Sequence, residues 1–301
     1  MICLSNGHRF MYMVASGALA YDGKGWPWEW PLRWLGLIKP ELFTVATKTL
    51  TQEPRKGYLR WWKPWECVQL LRPDSSVNKV GLTNPGIDWW CHKIGPTVDS
   101  KKIPLVVSIH GNEAEMVEMA KMLNWFDLVA LELNPSCPNT KDGFQEADVI
   151  VSSAKAVRVV SQHPLIIKVS AAQQYCNIVY QLQDCVEAVS LNSVPWELLY
   201  PPGPNQQHSP LWRLQKRVGG GGGGVSGYLA QKHNWNAVEE LFACVPQVPI
   251  IGPSVMRYSD MDEVRYRGAS AISFGAIHLC TPWRPTLFVQ RYMIETQFIR
   301  R

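Results

Sequence analysis

The sequence predicts an α/β protein folded as a (β/α)8 TIM barrel with an N-terminal Trp-rich flap. Three observations predict it. Short β-branched runs alternate with helical patterns, as expected of parallel strands joined by crossover helices. Eight such runs suit the roughly 250 residues of a typical barrel of this kind. Lys48, Gly111, Asn134, Lys168, Asn192, Gly252 and Gly275 stand at the C-terminal ends of different runs. A closed barrel gathers all its strand ends on one rim, where such folds place their chemistry, whereas an open doubly wound sheet would spread them along a line.

The 301 residues are read as a single domain, 1–301, in which 20–76 carry Trp-rich loops around the first strand. The candidate strands are Phe43–Thr47, Val77–Leu82, Leu105–Ile109, Leu128–Leu133, Leu165–Val169, Val186–Leu191, Val248–Gly252 and Ala271–Phe274. After the third run, Asn112 and Glu115 have the spacing of a helix cap, and Met116, Met119, Ala120 and Leu123 follow on one face. Ala147, Val151, Ala154 and Val157 repeat that period, and Trp235–Ala243 and Met261–Tyr266 give shorter helical patterns. Six of the fourteen tryptophans lie in Trp26-Pro-Trp-Glu-Trp-Pro31 and Arg60-Trp-Trp-Lys-Pro-Trp65. Aromatic packing of a flap against the barrel is expected of them; a partner surface is the sharper alternative, and a membrane-interface surface, less expected, is another.

Composition excludes several classes. At 46% hydrophobic and 18% charged, the chain is too apolar to be disordered. No apolar run approaches the roughly 20 residues of a membrane span, and Met1–Phe10 lacks a secretory pattern. A net charge of +5 is mild at this length and calls for no nucleic acid. None of the eight cysteines forms a Cys-x-x-Cys pair, which disfavours zinc ribbons, dithiol redox centres and iron–sulfur clusters. Free thiols in a reducing, cytoplasmic setting are expected, with no metal site.

Chemistry concentrates at the strand exits. Leu131-Glu-Leu-Asn-Pro-Ser-Cys-Pro-Asn-Thr140 places Cys137 between two carboxamides, Asn134 and Asn139. A thiol so placed can serve as a base or nucleophile if its surroundings favour thiolate, the alternative being a turn with a structural cysteine. Lys48 and Lys168 leave two β-branched runs, favouring an anionic or electron-rich ligand. Asn78, Asn134, Asn192 and Ser193 on one rim would clamp a planar, hydrogen-bonding ring. Gly219–Gly224, Gly252 and Gly275 mark backbone that could hold a phosphate, although a polyglycine run alone more often means a loose loop.

Taken in order, Val14-Ala-Ser-Gly17, Thr47-Lys-Thr49, Gly81-Leu-Thr-Asn-Pro-Gly86, Asn134-Pro-Ser-Cys-Pro-Asn139, Ile167-Lys168, Asn192-Ser193, Gly224-Val-Ser-Gly227 and Phe274-Gly-Ala276 resemble the dihydroorotate dehydrogenase family over nearly the whole chain. The resemblance implies FMN-dependent oxidation of dihydroorotate to orotate in pyrimidine biosynthesis. Cys137 would remove the C5 proton while hydride from C6 passes to the flavin. Lys48, assigned a catalytic role with Cys137, would meet both substrate carboxylate and flavin. Asn78, Gly81, Leu82, Asn134, Asn139, Asn192 and Ser193 would hold the substrate. Ala15, Ser16, Gly17, Lys48, Thr49, Asn134, Lys168 and Asn192 would line the flavin, and Gly227, Gly252, Ser254, Gly275 and Ala276 its ribityl phosphate.

The chain departs from the family where Gly252-Pro-Ser-Val255 replaces the usual Gly-Gly pair, and where Ala276 replaces a common threonine. Both changes remove donors from the phosphate end. A start close to the first barrel segment and a cysteine base resemble the soluble class, expected as a homodimer and in some members joined to an iron–sulfur electron-transfer subunit. The cysteine clusters that accompany the similar dihydropyrimidine dehydrogenase are absent. The other readings are an FMN barrel oxidoreductase acting on another pyrimidine, and a catalytically degenerate barrel that binds a ligand or partner.

Overall fold

Eight parallel strands close on themselves in chain order in the computed structural model, which describes residues 1–60, 62–135, 146–203 and 207–299. They are β1 (Tyr12–Val14), β2 (Thr44–Ala46), β3 (Leu105–Ile109), β4 (Ala130–Leu133), β5 (Leu165–Val169), β6 (Ala188–Leu191), β7 (Ile250–Gly252) and β8 (Ala271–Phe274). Each pairs with its successor, and β8 closes the ring through Ile272 opposite Tyr12 and Phe274 opposite Val14. The (β/α)8 barrel is thus present, and three of the expected strands, β3, β5 and β8, coincide with their predicted bounds.

One assignment is corrected. The run Val77–Leu82 is not a barrel strand; Ser75–Asn78 belongs to a four-stranded antiparallel sheet with Val68–Leu71, Gly224–Gly227 and Val194–Pro195. A short β-branched run carries no mark of whether its partner runs parallel or antiparallel. The missing barrel strand is β1, whose three residues are too few to show a period. The extra sheet is built from the connections after β2 and β6, so its side chains cover the C-terminal mouth.

Alternation of side chains along each strand fills the barrel in layers. Met13, Ala46, Val106, Ala130, Ile166, Ala188, Ile251 and Ala271 form an apolar interior layer with one residue per strand. Ile2, Leu4 and Phe10, from the N-terminal hairpin in which Ile2 pairs with Phe10, join that layer and plug the end of the barrel away from the mouth. The larger core lies between barrel and helices. There the helix Glu113–Leu123 buries Met116, Met119, Ala120 and Leu123, and Asn112 Oδ1 accepts from Glu115 N at 2.9 Å as the spacing predicts. The helices Ala147–Val160, Gln231–Cys244 and Asp260–Tyr266 stand where the other helical patterns lie.

The cysteine expectation needs correction. Cys176 and Cys244 are joined as a disulfide, their Cα atoms 6.5 Å apart, because the helices Tyr175–Gln181 and Gln231–Cys244 pack side by side. Cys3, Cys67, Cys91, Cys185 and Cys280 are free. No described helix is long and apolar enough to cross a membrane. Aromatic packing accounts for only part of the flap. Trp26 stacks on Trp28 with ring centres 5.3 Å apart and donates from Nε1 to Gly17 O at 3.1 Å. Trp34, Trp62 and Trp65 face solvent.

Candidate active site

Two residues beyond the apolar layer, the same inward positions become Ala15, Lys48, Ser108, Glu132, Lys168, Ser190, Pro253 and Ser273. The period that makes the lower barrel apolar therefore delivers a polar floor at the rim. Above it lies a cavity of about 630 Å³, roofed by the antiparallel sheet and by Trp26 and Trp28. That volume falls within the range usual for small-molecule and cofactor sites.

The floor is a connected hydrogen-bond network. Lys168 Nζ lies 3.2 Å from Glu132 Oε1, with both side chains buried. Ser108 Oγ donates to Glu132 Oε1 at 2.8 Å, and Ser190 Oγ donates to Oε2 at 3.1 Å. A carboxylate only accepts, so the Ser108 proton is committed. Thr49 Oγ1, 2.9 Å from Ser108 Oγ, must then be the donor of that pair. Thr49 is left to accept from Asn134 Nδ2 at 3.0 Å. Asn134 Oδ1 in turn accepts from Asn192 Nδ2 at 3.2 Å, and Asn192 Oδ1 accepts from Ser193 N at 2.8 Å. The amide orientations of Asn134 and Asn192 are thereby fixed by the buried carboxylate of Glu132. His110 Nδ1 adds a contact at 2.8 Å to the carbonyl oxygen of Asn134.

The wall formed by Gly227 and the loop after β7 is built differently. Gly227 has φ +91, and a Cβ there would lie 2.5 Å from Asp74 O, so only glycine allows the two backbones to meet. Ser254 adopts φ 66, the left-handed conformation that glycine favours. Its Oγ accepts from Asn234 Nδ2 at 3.0 Å, its carbonyl accepts from Gln231 Nε2 at 3.0 Å, and Trp235 Nε1 donates to Pro253 O at 2.9 Å. The helix Gln231–Cys244 thus holds this loop in a glycine-like shape without the glycines.

Of the residues singled out in the sequence, Ala15, Ser16, Gly17, Lys48, Thr49, Asn78, Leu82, Asn134, Lys168, Asn192, Ser193, Gly227, Ser254, Gly275 and Ala276 line this one cavity. Gly81 and Gly252 do not. A Cβ on Gly81 would meet the Tyr58 ring, and one on Gly252 would meet Val264 and Ala269 on the helix side of the barrel. The polyglycine run also lies elsewhere, with Gly221 O accepting from Lys79 Nζ and Gly222 N donating to Glu197. Lys168 sits inside β5 rather than after it. Cys137 and Asn139 fall outside the described residues.

Sequence reasoning missed four residues in and beneath the cavity, Glu132, His278, Ser76 and Glu29. Glu132 was signalled only by a charge in the middle of an apolar run, Leu131-Glu-Leu133. His278 and Ser76 also line the cavity and are 6% and 1% exposed. Burial holds the His278 imidazole down to about 4, so it is neutral at ordinary pH. Glu29 is likewise buried on the wall, and burial pushes its carboxyl up to about 7 against the opposing hydrogen bond from Trp26 N.

Comparison with known proteins agrees with this geometry. The sequence model for dihydroorotate dehydrogenase matches residues 34–281. The catalytic subunit of dihydroorotate dehydrogenase B (NAD(+)) of Petrotoga mobilis is 29% identical over 250 residues, 79% of this chain and 77% of the relative. The same subunit of Bacillus cereus strain B4264 is 29% identical over 80% of this chain and 76% of its own length. Dihydroorotate dehydrogenase A (fumarate) of Lacticaseibacillus paracasei is 33% identical over 52% of each chain. A crystal structure of ligand-free type DHODH from Eimeria tenella shares the fold, with a TM-score of 0.68 at 17% identity over 93% of this chain and 81% of that one. With the family model covering most of the barrel and the motif residues gathered on one cavity, the chain belongs to the dihydroorotate dehydrogenase family of oxidoreductases.

Proposed function

We propose that the protein oxidises dihydroorotate to orotate in pyrimidine biosynthesis, with FMN as its cofactor and Cys137 as the base. The observation that carries this reading is the convergence of Lys48, Asn78, Asn134, Lys168 and Asn192 on a single cavity. They come from distant parts of the chain and supply two cations and three carboxamides. The residues present fit a flavin mononucleotide. The wall offers the close backbone approach at Gly227, and Ser76 Oγ and both ring nitrogens of His278 are buried with no protein partner among the described residues.

Ala15, Ser16, Gly17, Lys48, Thr49, Asn134, Lys168 and Asn192 would hold the ring system, and Gly227, Ser254, Gly275 and Ala276 the ribityl phosphate. Bound FMN would supply the acceptor for the hydride that leaves C6 of the substrate. Lys168, positioned by Glu132, places a fixed positive charge where electron density accumulates. Asn134 and Asn192 face the pyrimidine with their amides already oriented, which lowers the ordering cost of binding. Asn78 and Ser193 complete the clamp, and Lys48 meets the substrate carboxylate. Cys137, three residues beyond Asn134, takes the C5 proton as thiolate, the C5–H electrons becoming the new C5–C6 π bond as hydride departs.

The relatives named as catalytic subunits of an NAD(+) enzyme support a further subunit that takes electrons from the flavin; an iron–sulfur centre in that subunit, a homodimeric core and a cytoplasmic location belong to the same proposal. The deciding experiment is the visible spectrum of purified protein without oxygen, before and after dihydroorotate. Flavin bands that bleach with dihydroorotate and not with dihydrouracil support the reading. Bands that stay unbleached, or bleach only with dihydrouracil, overturn the substrate assignment.

A further inference from the structure

The polar groups of the cavity floor hold one another, but two groups on its wall have no protein partner among the described residues. Both ring nitrogens of His278 and the hydroxyl of Ser76 are buried without a hydrogen-bond partner among the described residues. Buried polar side chains are overwhelmingly partnered, and an orphaned one is costly. Two orphans on one cavity wall therefore point to a partner that the ligand itself brings.

Their position says which part of the ligand. His278 belongs to the short helix Ile277–Cys280, which follows Gly275 and Ala276 at the exit of β8 and packs against the strand Ser75–Asn78 that carries Ser76. At this end of the cavity no described lining residue carries a positive charge. Pro253 has no N–H, Ala276 has no hydroxyl, and among the described lining residues the only lysines or arginines are Lys48 and Lys168, both assigned to the ring end. A neutral imidazole and a hydroxyl each offer a hydrogen to an oxygen that only accepts.

We propose that His278, with Ser76, donates hydrogen bonds to the phosphate of the bound flavin nucleotide and replaces the donors lost at Pro253 and Ala276. The proposal rests on the flavin reading above. It assigns His278 a cofactor-selecting role: it discriminates a phosphorylated flavin from an unphosphorylated one.

The test is titration of flavin-free, full-length protein with FMN and separately with riboflavin, followed by quenching of flavin fluorescence. His278→Leu is expected to weaken FMN binding about tenfold, the loss of one hydrogen bond to a charged group, and to leave riboflavin affinity unchanged. His278→Gln, which keeps an N–H donor, should recover part of the FMN affinity, and Ser76→Ala should weaken FMN about threefold. Equal losses for FMN and riboflavin, or no loss for either, overturn the proposal. If His278→Leu does not fold, the FMN-to-riboflavin ratio of Ser76→Ala and His278→Gln decides, and an unchanged ratio in both overturns it. Wild-type protein that takes up neither flavin overturns the flavin reading itself, whereas FMN uptake indifferent to His278 overturns only this assignment.

Discussion

Lys168 and Glu132 meet inside the barrel at 3.2 Å, with 8% and 2% of their side chains exposed. Through Ser108 and Thr49, Glu132 fixes Asn134, and through Asn134 it fixes Asn192. The ion pair thus connects Lys168, the charge proposed to face the flavin, with the amides proposed to face the substrate. Removing one partner of a buried pair typically costs about 3–5 kcal/mol, because the other charge stays buried, while replacing both can be close to neutral. Glu132→Leu is therefore expected to destabilise the flavin-free protein by that amount in urea unfolding. The double variant with Lys168→Met should recover most of the loss. Additive losses in the two single variants and the double would contradict a coupled pair.

Cys137→Ala is expected to retain FMN and to be reduced by dihydroorotate about 10²–10⁴ times more slowly, the usual contribution of a positioned base. Stopped-flow bleaching without oxygen measures this directly. In the wild type the reduction rate should rise with pH as thiol gives way to thiolate, and that dependence should vanish in the variant. Reduction of the variant at the wild-type rate would remove Cys137 from the mechanism.

The residues legible in the sequence were those whose signal is local. Lys48, Asn134 and Asn192 follow apolar runs, and a strand exit in a barrel has only one rim to reach. Glu132 was not legible because its partners, Lys168, Ser108 and Ser190, lie on other strands, 24 to 58 residues away, and only closure of the barrel brings them together. The pairing of Cys176 with Cys244, 68 residues apart, was hidden for the same reason. β1 escaped because three residues show no period, and Val77–Leu82 took its place because pairing direction leaves no trace in one strand. His278 carried no signal at all. Its significance lies in having no protein partner, which only packing reveals.

Ser254 stands in a left-handed conformation that costs a non-glycine residue roughly 1–2 kcal/mol. Its hydroxyl recovers about 1 kcal/mol through Asn234. Ser254→Gly removes both effects, so its unfolding midpoint should stay close to wild type. Ser254→Val keeps the unfavourable backbone, adds a β-branch and loses the hydrogen bond, and is expected to lower stability by about 2 kcal/mol or more. Thermal unfolding of the two variants checks the sign of each. Equal destabilisation by Gly and Val would show that the hydroxyl, and not the backbone shape, matters at this position.

Glu29 braces the flap from within, its carboxylate accepting from Trp26 N at 2.8 Å while 4% of the residue is exposed. Burial raises its pKa from the usual 4.5 to about 7. Between those two values the folded chain holds a proton that the unfolded chain has released. Stability from this group is thus full below about pH 4.5, falls as pH rises through that window, and levels off above about pH 7. The loss is expected to be on the order of 1–3 kcal/mol. Glu29→Gln keeps an acceptor for Trp26 N and carries no charge, so its stability profile should be flatter across the window and exceed wild type on the alkaline side. Urea midpoints measured for both proteins from about pH 5 to about pH 8 decide the matter. Parallel profiles would show that Glu29 titrates alike in the folded and unfolded chains, and that the flap is held without a buried proton.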